Sequence, residues 1–206
     1  MGLGCRGVRA ALGPFTAPAG RCSREEYEAR KRAAGETAKQ PGPLRMYKAT
    51  ASNTFRPQQI AARADAQKRL DLSSFVHVLE VNTEELWCDI EASATFETFV
   101  DATTRCGTAP LVVPELRTIT VGGAIVGIGV ESSSFRHGFF HDGMLEADIL
   151  LASGEVMTVR PDGEHAELFR AIPNSLGSFG YLLRLRMRVQ RATPVVRLEK
   201  TWCDSP

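Results

Sequence analysis

The chain has 206 residues, of which 43% are hydrophobic and 24% charged, and its net charge is +1. That length admits one large or two small domains with a buried core, and so balanced a charge gives no electrostatic footing for nucleic acid or another polyanion. No run approaches the roughly 18 consecutive apolar residues of a transmembrane helix, and the scattered Cys5, Cys22, Cys88, Cys106 and Cys203 form no C-x-x-C pair, so they read as free thiols of a reducing, intracellular compartment rather than as a metal site or disulfide framework.

Residues 1–22 carry Arg6, Arg9 and Arg21 and no acid. They fit an organelle-targeting segment or a disordered leader, with Pro14 and Pro18 breaking any amphipathic helix. Ser23 to about Ala38 reads as a helix opened by the capping box Ser23-x-x-Glu26, with acids early and bases late. Few apolar residues line it, so a solvated surface helix is expected. Pro41-Gly42-Pro43 forces a turn, and Leu44 to Lys48 reads as a short strand. From Lys48 to Arg56 the small polar residues Ser52, Asn53 and Thr54 lie between two cations. This is either a plain loop or one whose amides and hydroxyls meet phosphate oxygens.

Val76–Asn82 and Glu84–Ala92 alternate apolar and polar residues and read as an antiparallel hairpin. Thr95 to Cys106 reads as a helix with Thr95 as N-cap, Phe96, Phe99 and Val100 on its apolar side and Gly107 as terminator. Leu111–Pro114 follows as a short strand or turn.

The densest glycine stretch is Thr120-Val121-Gly122-Gly123-Ala124-Ile125-Val126-Gly127-Ile128-Gly129-Val130-Glu131-Ser132-Ser133-Ser134. Its spacing is neither the G-x-G-x-x-G of a Rossmann turn nor a P-loop, and it does not read as a strand running straight into a helix. Without Cβ atoms, its amides are expected to stand bare and cradle a long phosphorylated ligand. Beyond it, Leu145–Ala152 and Glu155–Val159 form a hairpin about Ser153-Gly154, and Glu164–Ala171 is a short helix. Gly177-Ser178-Phe179-Gly180 is a loop of close backbone approach. Tyr181–Arg191 sets Leu183, Leu185, Met187 and Val189 against Arg184, Arg186 and Arg188, a half-buried strand whose basic face is expected in solvent. Strands with short intervening helices give an α+β class.

Taken in order, Pro114–Gly123, Gly127–Ser134, Gly138, Ser153-Gly154-Glu155, Asp162–Phe169 and Pro173–Gly180 resemble the PCMH-type FAD-binding domain of the vanillyl-alcohol-oxidase/p-cresol-methylhydroxylase superfamily, with greatest similarity to its sterol Δ24-reductase branch. The resemblance runs from about Lys48 to Ala192. It implies a small N-terminal αβ subdomain, here abbreviated, and a larger antiparallel-sheet subdomain with flanking helices, spanning residues 23–193. Residues 194–206 would begin a substrate domain. FAD would be held by Ser52, Asn53 and Thr54 in a first phosphate loop, by Thr120, Val121, Gly122, Gly123, Gly127, Ile128, Gly129, Glu131, Ser132 and Ser133 along the pyrophosphate, and by Gly138, Gly177 and Gly180. The loop from Lys48 to Arg56 has no His or Cys to attach a flavin, so the FAD is expected to be non-covalent. The branch implies reduction of a C=C bond in a sterol-like lipid with NADPH as donor, and a peripheral membrane association. An inert FAD-binding fragment or subunit and a flavin alcohol oxidase are the alternatives. His137 and His141 lie beyond the glycine stretch, and no catalytic acid is assigned.

Overall fold

The structure is a computed structural model that describes residues 22–48, 68–193 and 195. The expected loop residues Ser52, Asn53 and Thr54, the leader and residues 196–206 lie outside the described residues.

Helix α1 spans Arg24–Lys39, and its capping box forms as the sequence predicts: Ser23 Oγ accepts from the Glu26 amide while the Glu26 carboxylate accepts from the Ser23 amide. Strand β1 (Leu44–Tyr47) pairs in parallel with β2 (Lys68–Asp71). Strands β3 (Val78–Asn82) and β4 (Trp87–Glu91) form the first hairpin. Asn82 Oδ1 tightens its turn by accepting the amides of Glu84 and Glu85 at 3.0 and 2.8 Å.

Helix α2 (Phe96–Arg105) is N-capped by Thr95, and β5 (Thr108–Pro110) follows it. Then come α3 (Val121–Gly127), the single turn α4 (Ser134–His137) and a 3-10 turn at Phe140–Gly143. Strands β6 (Met144–Leu150) and β7 (Val156–Val159) form the second hairpin, and α5 (Ala166–Ala171) leads to β8 (Tyr181–Arg191). The larger sheet is antiparallel, in the order β3-β4-β8-β6-β7, with β5 joining the far end of β8. Among the described residues, a two-stranded parallel unit beside a six-stranded antiparallel one gives the α+β architecture expected of a PCMH-type domain.

The sheet buries both faces. On one, Cys88, Ile90, Ala147, Ile149, Leu185, Met187 and Val189 pack against α2 and α3 through Phe96, Phe99, Val121 and Ile125. The other is covered by α1 and β2, with Tyr27, Ala34, Ala38, Leu70, Leu72 and Phe75 against Leu150 and Leu183. Leu183 therefore faces away from Leu185, which a strict two-residue period does not allow. The β6–β8 register shifts between Asp148 and Ile149, so one extra β8 residue is accommodated and the alternation reverses there.

Two expectations are corrected on the α1 face. The helix is not merely solvated: Tyr27 is fully buried, and Ala34 and Ala38 are nearly so. The arginines of β8 are not all in water either. Arg184 is buried between Asp89 of β4 and Asp148 and Glu146 of β6. Arg186 makes two 2.9 Å bonds to Asp89 and stacks on Trp87. From α1, Arg24 pairs with Asp89, Arg30 with Glu91, and Lys31 with Asp148 at 3.4 Å. The physical reason is charge matching: strands β4 and β6 turn four carboxylates to the same side as the β8 arginines, and buried charges persist only when paired.

Candidate functional site

The two sheets meet at a cavity of about 120 Å³ between the end of β1, the β4–α2 connection, the first turn of α3 and the loop that leads into β8. Gly122, Gly123, Gly177 and Gly180 line it with Lys48 and Ser93. Two glycine segments far apart in sequence thus converge on one space.

Local bonding sets this geometry. Thr120 caps α3, its Oγ1 accepting from the Gly123 amide at 3.3 Å. The amides of Val121 and Gly122 donate to the carbonyls of Ala94 and Ala92, both at 2.8 Å. The glycine stretch is therefore a capped seven-residue helix rather than an open run of bare amides, and its first-turn N–H groups are engaged by the protein itself. Glycine at 122 serves close packing, since a Cβ there would come within 2.8 Å of the Ala92 Cβ and 2.9 Å of its carbonyl oxygen. At the other end of α3, Asn174 and Leu176 donate to the carbonyls of Ile125 and Val126 at 3.3 and 2.9 Å. Both residues adopt left-handed φ values, 56° and 52°. These bonds tie the Gly177–Gly180 loop to the helix, and the strained backbone that achieves it is of the kind concentrated at ligand sites.

Lys48 closes the ring. Its Nζ donates to Thr120 Oγ1 at 2.9 Å, and no carboxylate among the described residues pairs with it. Burial pushes its pKa down from the ordinary lysine value.

The other expected residues fall elsewhere. Val121 is wholly buried in the core. Gly127 and Ile128 end α3, with Ile128 at φ 61°, and Gly129 accepts from the Phe140 amide at 2.8 Å. Glu131 accepts from the Glu115 amide at 3.2 Å, and Ser133 donates to the Leu111 carbonyl at 3.1 Å. Gly138, at φ 75°, closes α4. None of these, nor Ser132, lines the cavity. Ser93 and Tyr181 do line it, and sequence reading missed them because neither belongs to a glycine pattern. Lys48 stood out only as a cation flanking a polar loop.

A second cluster joins Cys22, His77 and Glu91, whose ligand atoms lie within 4.8 Å of one another. Arg30 already occupies it, bonding Cys22 Sγ at 2.9 Å and pairing with Glu91. A guanidinium thus stands where a metal ion would need to be.

The family described as FAD binding domain matches residues 52–160, more than half of the chain. The Δ(24)-sterol reductase of Arabidopsis thaliana is 35% identical over 129 residues, which is 63% of this chain and 23% of that protein. Cytokinin dehydrogenase 8 of Oryza sativa subsp. indica is 32% identical over 123 residues, 60% of this chain and 23% of that protein. The chain thus spans about a quarter of the length of the curated relatives it matches. Among solved structures, 6-hydroxy-D-nicotine oxidase from Arthrobacter nicotinovorans shares the fold, with a TM-score of 0.62 at 18% identity over 83% of this chain and 36% of that one.

Proposed function

The chain belongs to the FAD binding domain family, the PCMH-type group its sequence resembles, and from that membership we propose that residues 23–193 are the FAD-binding domain of an oxidoreductase that reduces a C=C bond of a sterol-like lipid with NADPH as donor. One observation carries the reading. Gly122, Gly123, Gly177 and Gly180 line a single cavity, in a chain whose relatives include Δ(24)-sterol reductases.

The residues fit such a group. A cavity of about 120 Å³ holds one part of a dinucleotide rather than all of it. Its small-residue walls let a ligand lie against backbone, and one unpaired ammonium suits an anionic ligand. Gly122 and Gly123 would form one wall and Gly177 and Gly180 the other, with Ser52, Asn53 and Thr54 at the first phosphate loop. Bound FAD would supply the hydride chemistry, which is the cofactor's own. The chain's part is to seat it without a covalent bond, orient it and keep water from its phosphate end. No helix among the described residues is long and apolar enough to cross a membrane.

A second reading is a FAD-binding module that does not turn over by itself, favoured by the quarter-length match to the relatives. Purified protein reconstituted with FAD tests both. Visible flavin absorbance released by acid precipitation is expected, and a colourless, FAD-indifferent protein overturns the proposal. NADPH oxidation that depends on a sterol with a side-chain double bond separates the reductase from the inert module. Oxygen consumption on an alcohol panel would reveal an oxidase instead.

A further inference from the structure

We infer that the Lys48 ammonium, assisted by the Thr120 hydroxyl, is the charged contact to the diphosphate of the bound dinucleotide, in place of the backbone amides of Val121–Gly123. The inference rests on the FAD reading above and adds the residue that carries the charge.

Four observations support it. First, the amides of the glycine stretch that border the cavity are spent: those of Val121, Gly122 and Gly123 donate to Ala94, Ala92 and Thr120. Second, the cations Arg184, Arg30 and Lys31 each pair with a carboxylate, whereas Lys48, which unlike half-buried Arg45 lines the cavity, has only a hydroxyl among the described residues. An ammonium has three donors and Thr120 uses one. Third, Lys48 lines the cavity, and the walls around it are largely apolar, with Met46, Leu72, Val126 and Leu182 among them. An unpaired charge in such surroundings is costly until an anion arrives, and burial lowers the lysine's pKa for the same reason. Fourth, Thr120 Oγ1 accepts from both Lys48 Nζ and the Gly123 amide, which leaves its O–H as a further donor. The oxidised isoalloxazine and the adenine are uncharged at neutral pH, so the diphosphate is the part of FAD that meets this demand.

The test titrates the full chain with FAD and with ADP by calorimetry, for wild type, Lys48→Met and Lys48→Arg, alongside thermal melts of the ligand-free proteins. Losing a charge-assisted contact should weaken both ligands about 10- to 100-fold in Lys48→Met, with most affinity kept in Lys48→Arg. Ligand-free Lys48→Met should melt no lower than wild type, because a half-buried charge with no carboxylate partner has been removed. Unchanged FAD and ADP affinity in Lys48→Met overturns the inference and leaves FAD binding intact. A fall in affinity together with a lower ligand-free melting point also overturns it, by assigning Lys48 a structural role. A wild-type chain that binds neither ligand overturns the FAD reading itself. Should Lys48→Met fail to fold, the Nζ resonance of Lys48 in wild type decides: a shift on adding ADP supports the contact, and no shift overturns it.

Discussion

At the scale of single residues, Arg184 organises the face of the sheet under α1. It bonds Asp148 at 3.0 and 3.2 Å, Asp89 at 2.9 Å, and also Glu146. A buried ion pair adds little over a well-packed apolar pair, yet removing one member strands the other. Arg184→Met should therefore lower the unfolding free energy by about 3–5 kcal/mol in denaturant titrations. Arg186 and Arg160 still hold Asp89 and Glu146 and keep the loss toward the lower figure. Acid should act through the same site. Burial alone would raise the Asp148 pKa, but the Arg184 guanidinium, with hydrogen bonds from Tyr27 and Thr158, outweighs it and holds the carboxyl at about 2. A depressed carboxylate pKa stabilises the fold at pH values above the unfolded pKa of about 3.9, and that contribution disappears as pH falls through the folded pKa. The expected loss is about 2 kcal/mol between roughly pH 4 and pH 2. Melting curves across that range should show the slope, and Asp148→Asn should flatten it.

At the scale of elements, α3 shows that its glycines are not equivalent. Gly122 packs directly on the chain at Ala92, whereas a Cβ on Gly127 would meet nothing within 4 Å. Gly122→Ala should destabilise by about 1–3 kcal/mol through overpacking and weaken FAD binding by shifting the cavity wall. Gly127→Ala should be neutral or stabilise by up to about 1 kcal/mol, because it restricts the unfolded chain without a clash. Paired urea titrations check both, and equal effects would refute this division of roles. Helix α1 is likewise held by contact: a Cβ at Gly35 would lie 2.8 Å from the Gly154 carbonyl oxygen in the β6–β7 turn. Its Tyr27 hydroxyl reaches Asp148 at 2.6 Å.

At the scale of the whole molecule, the cavity lies where the small parallel unit meets the large antiparallel sheet, so a ligand there touches both. Ligand binding restricted to the native state stabilises by mass action, about 2.7 kcal/mol at a hundredfold excess over Kd. FAD at that excess should raise the melting temperature by roughly 5–10 °C for a chain of this size. A melt indifferent to FAD would contradict the proposed function.

The sequence by itself determined what local chemistry decides. The Ser23–Glu26 capping box, the Thr95 cap and the Asn82 and Gly154 turns all form where residue types predict them, because caps and turns are satisfied within a few residues. The family was legible too, in an ordered series of motifs. Only the tertiary structure decided what each face meets. Alternation marked Arg184 and Arg186 as sharing a side of β8, but not that carboxylates of β4 and β6 and a basic helix lie over them. A register shift beside Asp148 then turned Leu183 against the pattern. The glycine stretch became a capped helix because the carbonyls of Ala92 and Ala94, distant in sequence, claim its amides, and Lys48 gained its place through Thr120. Hydrogen bonds and charges act at a few ångströms, so their partners are known only once the chain has brought remote segments together.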